Sequence, residues 1–124
     1  MRLLLLLLVM SGYASAHELT PTYPKLRMSA YDNVLQTEMK IFNTREGIKY
    51  FKVGVYDAEW TPLAFATSTG SSTLYVEPLK GIKFKVYVKT NAADRVTYIC
   101  TKSRILQQDA TQAMVNSRIC SKVK

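Results

Sequence analysis

Arg95-Val-Thr-Tyr-Ile-Cys100 is the stretch on which the reading of this chain turns. Val96, Tyr98 and Cys100 fall on one side of an extended backbone and Thr97, Ile99 and Thr101 on the other. The β-branched and aromatic content is that of a strand inside a sheet. The stretch ends in one of the two cysteines of the sequence; the second stands in Ser117-Arg-Ile-Cys120, on the last apolar segment. Two cysteines in an exported chain predict one disulfide. A Cys100–Cys120 bond would staple the C-terminal strand to this one and close a loop of about twenty residues, for which chain entropy gives roughly 3 kcal/mol. Two cysteines and one histidine do not make up the four ligands of a structural zinc site.

Working outward, the neighbouring segments alternate in the same way. In 82–89, Ile82, Phe84, Val86 and Val88 take one face, and Lys83, Lys85, Tyr87 and Lys89 the other. In 35–43, Leu35, Thr37, Met39 and Ile41 oppose Gln36, Glu38 and Lys40; in 49–56, Phe51, Val53 and Val55 point inward. Shorter strands are expected over 25–29, 63–65 and 74–76, with a final strand in 114–123. Pro21 and Pro24 make 18–24 an extended lead-in. A helical turn is expected only in 106–114. Turn residues separate all of these, and the pattern predicts an all-β fold: a single immunoglobulin-like antiparallel β-sandwich of about seven strands.

At the N-terminus, Met1-Arg2, a short leucine-rich run and Ala14-Ser-Ala16 have the form of a secretory signal peptide over 1–16. The run is too short for a membrane span, which takes about 20 apolar residues. The expected domain is therefore 17–124, periplasmic or secreted, with no transmembrane segment. Lysine and arginine number 17 against 9 acidic residues, a formal net charge of +8. Such a surface favours anionic partners in general, among them nucleic acid, lipopolysaccharide head groups and acidic proteins, or serves solubility alone; it points to no specific nucleic acid.

Several of these features together resemble the N-terminal immunoglobulin-like domain of PapD-type periplasmic pilus-assembly chaperones. They are an early strand with Arg27, a strand ending in Ile-Phe-Asn43, Tyr-Phe-Lys-Val-Gly-Val-Tyr56, the Val76-Glu-Pro78 turn, and a last strand with a basic residue. The likeness spans 24–100 and departs at Ala92-Ala93, where the family carries leucine-proline. In that family an arginine of the first strand and a lysine of the last bind the terminal carboxylate of a captured subunit. Arg27 lies sixteen residues before Asn43, as the family's arginine does, and Arg118 takes the approximate place of the lysine. Both charges suit a carboxylate. Some members also tie the last two strands of this domain by a disulfide. The whole chain further resembles small exported proteins carried by marine tailed phages, which implies a role at the host envelope or on the particle.

The candidate partner-binding residues are thus Arg27, Arg118, Lys83 and Lys85. The last two belong with Lys89 and Tyr87 to a basic stripe that suits phosphate or guards an exposed strand. Trp60, before Pro62, is expected to pack on the sandwich edge or to anchor a partner. His17, first residue after the cleavage motif, is a candidate copper ligand through its ring and amine. No triad, free thiol or paired carboxylates point to an enzyme, and no cofactor is implied. The expected function is an exported non-enzymatic module capturing a protein or peptide at a strand edge. The alternatives are a structural decoration protein of the envelope or a phage particle, and a copper-binding sandwich.

Overall fold

The computed structural model describes residues 17–104 and 117–124. The expected leader over 1–16 and helical turn over 106–114 lie outside the described residues. In order the elements are β1 (His17–Thr20), β2 (Arg27–Met28), β3 (Val34–Asn43), β4 (Tyr50–Tyr56), β5 (Ala66–Thr67), β6 (Thr73–Tyr75), β7 (Gly81–Lys89), the single helical turn α1 (Thr90–Ala93), β8 (Tyr98–Arg104) and β9 (Arg118–Lys122).

They form two antiparallel sheets. One has the order β1-β3-β7-β5, with β2 also on β3; the other has the order β6-β4-β8-β9. Setting aside the two short strands β2 and β6, this is the strand order of an immunoglobulin-like sandwich. Nine strands are present among the described residues where about seven were expected. The surplus comes from 17–28, where the expected lead-in and early strand are two pieces, β1 and β2, both paired to β3.

The long strands follow the period-2 pattern of their sequences. Thr37, Met39 and Ile41 of β3 and Phe84, Val86 and Val88 of β7 face Phe51, Val53 and Val55 of β4 and Ile99 of β8 across a closed core. Each large apolar side chain buried this way contributes about 1.5–3 kcal/mol. Strand β8 is oriented by its odd-numbered residues: Ile99, Thr101 and Ser103 pair with Val55, Val53 and Phe51 on the inner face. Tyr98, Cys100 and Lys102 therefore lie on the outer face.

Two segments cross between the sheets and close the sides of the sandwich. After β4, Pro62 still bridges to Tyr56 and Leu63 to Val55, whereas Ala66 and Thr67 pair with β7. The short strand expected over 63–65 is thus displaced to 66–67, where β7 offers its edge. On the opposite side, β1 pairs with β3, after which the carbonyls of Thr22 and Pro24 accept from the amides of Lys122 and Lys124. The buried Asn43 fastens the end of β3: its Nδ2 donates to the carbonyls of Ile48 at 2.6 Å and Val76 at 2.9 Å, and its Oδ1 accepts from the Arg45 amide.

Candidate functional site on the outer face of the disulfide-bearing sheet

Strand β9 pairs with β8 in one fixed register, from Tyr98↔Lys122 to Lys102↔Arg118. The amide of Ser103 donates to Ser117 and that of Val123 to Thr97. Antiparallel ladders alternate bonded and non-bonded pairs, so the peptide groups of Arg118, Cys120 and Lys122 point away from β8. Lys122 uses its outward amide on Thr22. Among the described residues nothing hydrogen-bonds the outward groups of Arg118 and Cys120. Among the described residues the edge of the sheet is therefore unpaired there and closed one residue pair further on.

Cys100 and Cys120 are directly opposed, with Cα atoms 4.0 Å apart, and form the expected disulfide. It lies on the outer face, covered well enough that Cys100 is buried. Three cross-strand rows organise this face. Lys52, Lys102 and Arg118 form one; Gly54, Cys100 and Cys120 the next; Tyr56, Tyr98 and Lys122 the third. The first row sets three cations side by side on adjacent strands.

The aromatic row is completed by Trp60. Asp57 builds the loop that carries it: Oδ1 accepts from the amides of Glu59 and Thr61, and the Asp57 carbonyl accepts from the Trp60 amide. The loop holds Trp60 at φ 66°, a left-handed conformation costing of order 1–3 kcal/mol for a bulky residue. Its indole stacks on Tyr98, with centroids 4.0 Å apart and planes at 3°. Arg118 also lies over the indole, its Cζ 4.8 Å from the Trp60 centroid and 5.2 Å from that of Tyr56. Tyr56 in turn leans across Gly54, where a Cβ would sit 2.5 Å from the tyrosine hydroxyl. Lys52, Gly54, Tyr56, Trp60, Lys102 and Arg118 thereby line an open hollow of about 440 Å³.

The sequence-derived candidates separate into two groups. Arg27 pairs with Gln36, and Lys85 with Glu38, on the outer face of the other sheet. Both line a hollow of about 540 Å³ with Pro21, Tyr23 and Glu38. Lys83 is on the same face, opposite Lys40. Arg118 is on the other sheet, so the structure brings Arg27 together with Lys85 but not with Arg118.

His17 is a core residue. It has no exposed surface, its ring packs 4.7 Å from that of Phe51, and it ties β1 to the facing sheet. Nε2 lies 2.8 Å from Thr101 Oγ1 and 3.2 Å from the Thr101 carbonyl, and Nδ1 lies 3.2 Å from Ser117 Oγ. A carbonyl only accepts, which places the proton on Nε2 and leaves Nδ1 to accept from Ser117. Burial holds the ring below its ordinary pKa of about 6.5, partly offset by the bond to the Thr101 carbonyl. Both ring nitrogens are thus engaged inside the sandwich, which opposes the copper reading of this side chain. Among the described residues no group of three His, Cys, Asp or Glu is placed to hold a metal, and no helix is long and apolar enough to cross a membrane.

Lys52, Lys102, Tyr56 and Trp60 were not reached as one site by sequence reasoning. The available signal was the alternation itself: once Ile99 is inward, 98, 100 and 102 must be outward, beside 52, 54 and 56. Neither a family model nor a curated protein matches this chain.

Proposed function

We propose that this chain is an exported, non-enzymatic binding module that captures an extended segment of a protein or peptide partner as an added strand on the outer edge of β9. The observation that carries this reading is the pair of outward-pointing peptide groups at Arg118 and Cys120, without a partner among the described residues. An added strand would satisfy them with main-chain hydrogen bonds, which give affinity without demanding one sequence. The disulfide immediately behind this edge holds it in register, so that little ordering remains to oppose binding. The likeness to PapD-type domains and the signal-peptide pattern of 1–16 support an exported, periplasmic or secreted setting.

The test is recovery from the natural compartment under mild extraction, followed by intact mass and amide hydrogen exchange. The reading expects a chain beginning at His17, lighter by two hydrogens before reduction, with a co-eluting polypeptide that slows exchange at Arg118 and Cys120. A partner that leaves both amides unchanged would overturn the strand-addition mode. A chain that retains 1–16 with free thiols would overturn the exported setting.

A further inference from the structure

We infer that the hollow on the outer face of the β4-β8-β9 sheet is a second binding site, distinct from the strand edge, and that it takes an acidic saccharide, the anionic group lying between Lys52, Lys102 and Arg118. The first support is a cost to folding. Like charges directly opposite one another on adjacent strands destabilise a sheet, and here the arrangement occurs twice in succession, Lys52↔Lys102 and Lys102↔Arg118. None of the three is in an ion pair within 4.0 Å among the described residues, where the salt bridge found is Lys80–Glu77. The same residues offer an oxyanion three cations around the hollow: Lys52, Lys102 and the Arg118 guanidinium turned toward Trp60.

The second support is the aromatic corner. A left-handed tryptophan fixed by four hydrogen bonds within 57–61 is an unfavourable backbone held in place by its surroundings, the pattern found at binding sites. Its effect is to set an indole against both Tyr98 and the guanidinium of Arg118. Cation–π contact holds that guanidinium without neutralising it, so its charge stays available to a ligand.

The geometry also selects among anions. The backbone groups of a sheet interior are consumed in the ladder, so this face has no free main-chain groups with which to read a peptide. A single-stranded nucleic acid needs several aromatic planes in succession along a basic groove, and this hollow offers one indole, already stacked on Tyr98. A lipid chain needs an apolar trough, whereas lysines and an arginine rim this hollow. An acidic sugar needs only what is present: cations for its carboxylate or phosphate, the Tyr56 hydroxyl for one of its own, and the exposed surface of Trp60 for its ring.

Trp60 is the one tryptophan of the chain, so its emission reports directly on the site. The experiment titrates the purified protein with oligogalacturonate, a sugar phosphate, a neutral malto-oligosaccharide, polyglutamate and a single-stranded oligothymidylate. Calorimetry repeats each titration on Lys52→Gln, Lys102→Gln and the control Lys83→Gln/Lys85→Gln on the other sheet. The expected result is a saturable change in Trp60 emission with the acidic sugars. Binding should weaken about tenfold or more in either sheet-face variant, weaken with salt, and stay unchanged in the control. Preference for the carboxylate or the phosphate sugar identifies the anion, and either supports the site. An equal response to the neutral sugar, to polyglutamate or to oligothymidylate would overturn the saccharide assignment. Equal weakening in the Lys83/Lys85 control would reduce the effect to net charge and overturn the site. Because Lys52 and Lys102 stand off the β9 edge, their substitution leaves strand addition intact, so the two readings fail separately.

Discussion

Replacing both bridged cysteines by alanine separates what the disulfide does to the native state from what it does to the unfolded chain. In the native sheet the bond spans a directly opposed pair, and the flanking pairs Ile99↔Ser121 and Thr101↔Ile119 remain whether or not it is present. Native contacts therefore change little. Alanine is preferred to serine because position 100 is 2% exposed, where a hydroxyl would be a buried polar group in need of a partner. The main effect falls on the unfolded chain, which regains the freedom of a loop with a sequence separation of 20. Chain entropy puts this at roughly 3 kcal/mol, or a fall in Tm of about 12–24 °C for a domain of this size. Urea unfolding of the oxidised protein and the double variant measures both the free energy and m. The reasoning expects the loss of stability together with a larger m, since the untethered unfolded chain exposes more surface. A loss below about 1 kcal/mol with m unchanged would refute the loop-closure origin. A loss above about 5 kcal/mol would mean that β9 itself detaches, which the flanking ladder pairs argue against.

Three other perturbations follow from particular residues. The folded-state pKa of His17 lies below its unfolded value, so the unfolded chain binds the extra proton more readily; His17 should contribute stability fully above about pH 6.5 and lose it as pH falls below that value. A pH series of unfolding midpoints on wild type and His17→Gln tests this, the variant losing the slope between neutrality and pH 5 that wild type has. Asn43→Ala strands the buried carbonyls of Ile48 and Val76 and frees the part-buried amide of Arg45, and should cost about 2–4 kcal/mol in denaturant unfolding. Lys83→Glu converts the directly opposed Lys40↔Lys83 pair from repulsive to attractive, raising stability by about 0.5 kcal/mol at low salt; the gain should vanish in 1 M salt.

The long strands could be read because each has one wet and one dry face, and period 2 then fixes both register and orientation. Phe84, Val86 and Val88 and Phe51, Val53 and Val55 sit where their spacing puts them. Strand β8 is harder, since Thr101 and Ser103 take inner positions and Cys100 an outer one. Polarity there runs against burial, and only the pairing with β4 shows which side is inward. The segments that change sheets were illegible for a different reason. Residues 17–24 and 56–67 satisfy their backbone groups first on one sheet and then on the other, a choice made by the edges available and not by local propensity. The setting of His17 was illegible for a related reason: its burial depends on Thr101 and Ser117, both far away in sequence.

The same contrast locates the site. Both outer faces carry lysines and arginines, and composition alone cannot rank them. On the β3-β7 sheet, however, Lys85 stands opposite Glu38, and Arg27 opens onto a hollow that includes the same carboxylate. That face carries a counter-charge at Glu38, beside the like-charged pair Lys40↔Lys83. On the β4-β8-β9 sheet the row Lys52, Lys102 and Arg118 has no acidic member, and its neighbour Trp60 sits in an unfavourable backbone. Two unfavourable features converge on one patch, beside the described edge whose peptide groups are open. Their coexistence within one hollow is why we propose binding at this face and not at the more lysine-rich stripe of β7.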